Sequence, residues 1–138
     1  MATSPAPVPS EPAPPGANLV VLTGTVASEP DERQVGAGRA LQFDVTTVVA
    51  ESGRARRADV PVNWPDPPAA DASVLCPGLS VLVVGTVRRR FFRSGGVTMS
   101  RTEVVPDRVV PLRRRATVRS ALADAATRLQ VPPMSSAK

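Results

Sequence analysis

Short apolar runs rich in β-branched residues, separated by polar turns, fill the chain from Asn18 to Leu112. In LQFDVTTVV, which begins at Leu41, apolar and polar residues alternate, and this period of two predicts a strand with one buried face. Four further runs have the same β-rich composition: NLVVLTGTVAS, ADVPVNW, GLSVLVVGTVRRRFF and VTMSRTEVVPDRVVPL. The pattern therefore predicts five strands, with a tight hairpin turn at Ser94-Gly95-Gly96 between the last two. Gly24 is a candidate position for a bend in the first strand. The segment EPDERQVGAGR that follows this strand is expected to form a loop or a short hairpin.

A proline-rich stretch, PDPPAADASVLCPG, interrupts the strand series after Trp64. Its middle, residues 69–75, predicts a short helix that ends at Pro77-Gly78. Five strands with a helical insert between the third and the fourth fit a five-stranded Greek-key barrel of the OB type. A sandwich would need more strands, and a parallel α/β sheet would need more helices. We therefore predict an all-β OB barrel over residues 18–112, with a short helical insert and a C-terminal helix.

The segments on either side of the barrel have a different composition. Residues 1–17 are rich in proline and alanine without periodicity, and we expect a disordered arm. Residues 113–131 predict a basic linker and an amphipathic helix with Thr117 as N-cap, and residues 132–138 a disordered tail. The apolar stripe of this helix should pack on the barrel or on another subunit. The stripe consists of Val118, Leu122, Ala125 and Leu129.

The composition argues against most enzyme mechanisms. The 138 residues contain no histidine, which excludes histidine-based triads and proton shuttles, and the one cysteine, Cys76, permits no internal disulfide. We therefore expect a non-enzymatic protein without a metal site or a cofactor. No apolar run approaches the roughly 18 residues of a membrane helix, and the N-terminus lacks the pattern of a secretory signal. A cytoplasmic protein without membrane contact is expected.

The net charge of +5 is concentrated in clusters of arginine, the densest being VRRRFFRSGG from Val87 to Gly96. Alternation along a strand puts Phe92 on the face of Arg88 and Arg90, and Phe91 on the opposite face. Arginines beside an exposed ring are the combination that stacks a base and neutralises its phosphates. We expect Phe92 to be the functional ring and Phe91 to pack in the core.

Two other regions supply candidate residues. ESGRARR contributes further arginines, and Trp64, which shares a strand face with Val60 and Val62, has either a core role or a stacking role. The candidate nucleic-acid-binding residues are Arg56, Arg57, Trp64, Arg88, Arg90, Phe92 and Arg93.

A family resemblance rests on the same segments. NLVVLTGTVASEPDERQVGAGRALQFDVTT resembles the opening of bacterial single-stranded DNA-binding proteins, and GLSVLVVGTVRRRFFRSGGVTMSRTEVV resembles their fourth and fifth strands. The resemblance covers most of residues 18–112. It implies an OB fold, assembly as a homo-oligomer (tetramer or dimer), and sequence-tolerant binding of single-stranded DNA in replication, repair or recombination. It also implies a stacking role for Phe92 and for an aromatic near Trp64.

The chain departs from that family in two respects. Aromatic residues make up 3% of the sequence, without tyrosine, so few stacking platforms are available. The chain ends in VPPMSSAK after a basic helix, whereas the family ends in an acidic, phenylalanine-tipped tail, so we do not expect recruitment of partner proteins by that route. The alternative function is an OB-fold protein-interaction or accessory subunit with little nucleic-acid binding of its own. The choice between DNA and RNA stays open at this point.

Overall fold

The computed structural model describes residues 16–130, so the predicted arm, apart from residues 16 and 17, and the predicted tail lie outside the described residues. The described elements are strands β1 (Val20–Val26), β2 (Asp31–Val35), β3 (Gly38–Glu51) and β4 (Arg54–Pro65), helix α1 (Ala69–Ala72), strands β5 (Ser80–Ser94) and β6 (Val97–Pro111), and helix α2 (Arg115–Arg128). In this part of the chain neither helix is long and apolar enough to cross a membrane.

Five of these strands close into a barrel. They follow the spatial order β1-β5-β6-β4-β3, and β3 returns to β1 through the pairs Thr25–Thr46 and Val26–Val45. All pairings are antiparallel except that of β4 with β6, which are parallel where Val62 meets Val104. This Greek-key order, with α1 inserted between β4 and β5, is that of the OB fold, and it confirms the predicted fold class. Strand β2 pairs with the start of β3, and the two form a short hairpin.

Two glycines allow strands to approach closely where the barrel bends. A Cβ atom on Gly24 would overlap the carbonyl oxygen of Thr46, at the point where β1 passes from β5 to β3. A Cβ atom on Gly85 would overlap the carbonyl oxygen of Val105, beside the register shift in the β5–β6 ladder. Glycine at these positions permits the close approach that closes the barrel.

The barrel interior is filled by branched aliphatic side chains and two aromatic rings, Phe43 and Trp64. Trp64 is 4% exposed and packs with Val62 on the inner face of β4. This corrects the inclusion of Trp64 among the binding residues, because a ring enclosed in the core offers no open face to a base. The other buried members of the core are Val26, Val45, Leu75, Val81, Val83, Val104 and Val109.

Helix α2 packs on the outside of the barrel through small side chains. Ala121 and Ala125 are buried against Leu82 and Val84 of β5, with Val118 at the edge of the contact. The two alanines let the helix lie close to the strand, and Ala121 takes the place that the predicted stripe gave to Leu122.

The sequence-based description of α2 was wrong in two details. Leu122 and Leu129 are 41% and 55% exposed, so they do not form the packed stripe. The N-cap is Arg114 rather than Thr117, and it makes no side-chain capping hydrogen bond. Two ion pairs also join the helix to β6, Arg108–Asp124 at 3.4 Å and Arg128–Asp107 at 2.7 Å.

We predict that Ala121→Asp destabilises the protein strongly, because Ala121 is 1% exposed and the substitution buries a charge between α2 and β5. The expected loss is about 2 kcal/mol or more, or at least ~8 °C in melting temperature. Leu122→Asp is the matched control and should change the stability by no more than about 0.5 kcal/mol. Thermal melting of both variants tests this, and equal losses would show that the helix docks through Leu122.

Candidate nucleic-acid interface

The β5–β6 hairpin continues past the barrel as an arginine-rich arm, defined here as residues 87–103. Ser94 pairs with Val97, and Gly95 and Gly96, with φ of 60° and 82°, make the two-residue turn between them. Both central residues therefore have the left-handed conformation that such a turn requires, as SGG predicts. The arm carries five arginines and one acidic residue, Glu103.

Both phenylalanines of the arm lie against a guanidinium, on opposite faces. The Cζ atom of Arg90 lies 5.1 Å from the centre of the Phe92 ring, and that of Arg89 lies 5.6 Å from the centre of the Phe91 ring. These distances are those of cation–π contacts. Phe92 is half-buried, whereas Phe91 is 66% exposed.

The expectation that Phe91 packs in the core is therefore wrong. Strand β5 has already left the barrel at Val87, which is 44% exposed, so the face of the arm that carries Val87, Arg89 and Phe91 is open to solvent. Side chains still alternate between the two faces along the arm. The hydrophobic core ends before the arm begins, however, so Phe91 has no core to pack against.

A buried polar cluster joins the arm to the barrel wall. The Glu103 carboxylate, 3% exposed, accepts hydrogen bonds from Asn63 Nδ2 at 2.9 Å and from Arg90 Nε at 3.1 Å. Arg90 thus bridges the buried carboxylate and the Phe92 ring. Because the guanidinium is held at both points, the ring and its cation form one preorganised unit on the outer face.

Three arginines of the arm have no carboxylate within ion-pairing distance in residues 16–130: Arg88, Arg89 and Arg93. Arg89 donates to the Ser100 hydroxyl at 2.9 Å, and Arg93 donates to the carbonyl oxygen of Gly96 at 3.0 Å. Neither acceptor neutralises the guanidinium charge. The arm therefore keeps an uncompensated positive field.

The arginines of the β3–β4 hairpin are placed differently. Arg56 lies 3.4 Å from Glu51, and Arg57 lies 3.5 Å from Asp59. Consecutive residues of a strand point to opposite faces, so these two side chains do not converge on one ligand. Each guanidinium also has a carboxylate close by, and this carboxylate competes with a phosphate for the guanidinium.

The structure thus brings together only part of the predicted set. Arg88, Arg90 and Phe92 share the outer face of the arm, whereas Arg93 lies on the opposite face of the same strand. Sequence reasoning missed Asn63 and Glu103. Their position in the strand pattern could have identified them, because each is a polar residue next to a buried apolar residue in a strand.

Among the described residues, Asp59 has a lowered pKa. The Thr46 hydroxyl, which donates a hydrogen bond of 2.7 Å to Asp59, and the neighbouring Arg57 guanidinium hold the pKa of this carboxyl below its ordinary value. The carboxylate is therefore ionised at neutral pH and stays available to Arg57.

Comparison with solved structures is informative about the fold. No protein-family model matches the chain, and no curated protein matches its sequence. Among solved structures, the chain is similar to the "Plasmodium falciparum SSB complex with ssDNA", with a TM-score of 0.60 and 18% sequence identity. The match covers 72% of this chain and 97% of that chain. The resemblance seen in the sequence therefore agrees with the structure at the level of the fold.

We predict that Thr46→Val raises the pKa of Asp59, because the hydroxyl that stabilises the ionised form is lost. In the wild type, Asp59 contributes stability above its unfolded pKa, and this contribution disappears as the pH falls through the lower folded pKa. NMR titration of the side-chain carboxyl carbon measures the shift. Thr47→Val, on the other face of β3, should leave the pKa of Asp59 unchanged, and an equal shift in both variants would refute the assignment.

Proposed function

We propose that this chain binds single-stranded DNA along the outer face of the barrel and its arm. Phe92, with the Arg90 guanidinium against it, provides the stacking platform, and Arg88 contacts the phosphates. Arg57, and Arg93 on the opposite face of the arm, extend the positive charge around this surface. The contacts are made to base faces and to the backbone, so the binding is largely sequence-tolerant.

The arm is the observation that carries this proposal. Five arginines against one acidic residue create the field that attracts a polyanion, and three of the five keep their charge uncompensated within the described residues. The Phe92 ring beside the Arg90 guanidinium adds a stacking platform for flat bases. A simple polyanion would not need such a platform.

The structural neighbour supports the choice of ligand. Its description names ssDNA as the bound molecule, and the match covers nearly the whole of that chain. DNA rather than RNA, a role in replication, repair or recombination, homo-oligomeric assembly, the absence of catalytic activity and a cytoplasmic location all belong to this proposal. The first three follow from the resemblance to bacterial single-stranded DNA-binding proteins, and the last two from the expectations drawn from the sequence composition.

We predict salt-steep binding of a short single-stranded oligonucleotide, with weak binding of the matching duplex. Each phosphate neutralised on a single strand contributes about −0.7 to the slope of log affinity against log salt, so three or four contacts give roughly −2 to −3. Arg88→Ala should flatten the slope by about 0.7. Arg119→Ala on α2 removes the same charge away from the arm and should leave the slope unchanged. Fluorescence anisotropy at several salt concentrations measures this, and a flat response would favour a protein-binding role.

Substitution of the two neighbouring rings separates stacking from charge. Phe92→Ala should weaken binding by about 5- to 150-fold, the loss of one stacked base, with the salt slope unchanged because stacking releases no counterions. Phe91→Ala is the matched control on the opposite face and should alter affinity little. Neither should change the stability greatly, because neither ring belongs to the core. The reverse pattern would move the site to the face of Phe91.

A further inference from the structure

A cavity of about 280 Å³ opens on the outer face beside the arm. It is bounded by the β2–β3 hairpin, by the end of β4 and by the long side chains of Arg88 and Arg90, which reach it from β5. Gln42 and Asn63, paired across β3 and β4, line its wall. The cavity therefore adjoins the unit formed by Phe92 and Arg90.

The orientation of the Asn63 side chain is fixed by its partner. The Glu103 carboxylate accepts from both Asn63 Nδ2 and Arg90 Nε. A carboxylate paired in this way only accepts hydrogen bonds, so the amide nitrogen has to face it. The amide oxygen, Oδ1, consequently points away from Glu103. The two atoms of the amide are thus distinguished by their hydrogen-bonding partners.

That oxygen is an acceptor without a donor. Asn63 is 8% exposed, and Oδ1 is buried with no hydrogen-bond partner among residues 16–130. A buried acceptor in this state is unfavourable, and nearly all such groups in proteins are paired. Gln42 and Arg90 line the same cavity as Asn63 and are only half-buried, so their side chains have room to move outward.

The surroundings restrict the class of ligand. It has to carry a protruding N–H donor toward Asn63 and an anionic group toward Arg88 and Arg90. Cytosine, adenine and guanine nucleotides do so, since their exocyclic amines stand out from the ring. Thymine and uracil present carbonyl oxygens at the equivalent positions, and their one ring N–H lies between two such oxygens.

We propose that this cavity, with Asn63 Oδ1 as the acceptor, reads the exocyclic amine of one base and gives the otherwise sequence-tolerant surface a preference for amine-bearing bases. The inference rests on the proposed function and deepens it. A site built to accept a hydrogen bond rejects a ligand that lacks the donor, because the buried acceptor is then left unpaired.

The test compares labelled oligodeoxycytidylate and oligodeoxyuridylate of about 12 nucleotides, within the range bound by OB domains. The two differ at the pyrimidine edge and not in charge or in backbone. The wild-type protein should bind oligodeoxycytidylate about 10-fold more tightly, the worth of one such hydrogen bond. Replacing cytosine by N4,N4-dimethylcytosine, which has no N–H donor, should remove this advantage.

Asn63→Ala should abolish the difference between the two affinities, and it should leave the salt slope unchanged because it removes no charge. Gln42→Ala is the matched control, since it removes a neighbouring carboxamide from the same cavity, and it should keep the wild-type ratio. A preference that persists in Asn63→Ala, or that is lost equally in Gln42→Ala, would overturn the assignment. The wild-type ratio itself requires no variant to fold.

The failure of this proposal is distinguishable from the failure of the proposed function. Steep, salt-dependent binding of both oligonucleotides with equal affinity overturns the base-reading cavity and leaves the binding surface in place. Weak binding of both with a flat salt response overturns the function, and the cavity proposal with it.

Discussion

The parallel contact between β4 and β6 is the constraint on which the barrel and its outer face both depend. It joins the β3–β4 hairpin to the β5–β6 hairpin, and it does so where Val62 meets Val104. Because side chains alternate along both strands, the contact that buries these two valines places Asn63 and Glu103 side by side on the outside. Closing the barrel therefore also builds the polar cluster that holds Arg90.

The distribution of charge follows from the same arrangement. Glu103 compensates Arg90 and turns its guanidinium into a fixed partner for Phe92, whereas Arg88 on the same face keeps its charge. On the β3–β4 hairpin, Arg56 and Arg57 each have an acidic neighbour within the hairpin. Three arginines without an ion pair in residues 16–130 and the two phenylalanine rings therefore lie together on the arm. A strand of nucleic acid would meet phosphate contacts and stacking contacts on one face.

The sequence predicted the fold well because each signal was local. Alternation in LQFDVTTVV, SGG at the hairpin turn and the proline-rich insert all determine structure within a few residues. The site was less predictable because it depends on where the core ends. Alternation alone placed Phe92 with Arg88 and Arg90, but it could not tell that β5 outruns the barrel and leaves Phe91 in solvent. Likewise Asn63 and Glu103, 40 residues apart, become neighbours only through closure.

The most direct test of the central claim is an NMR titration of the labelled protein with a short single-stranded oligonucleotide, following backbone amides and arginine Nε–Hε signals. Binding on the outer face predicts the largest shifts at Arg88, Arg90 and Phe92, with the side-chain amide of Asn63 also perturbed. Shifts confined to α2 or to the tip of the β3–β4 hairpin, with the arm unperturbed, would contradict the claim.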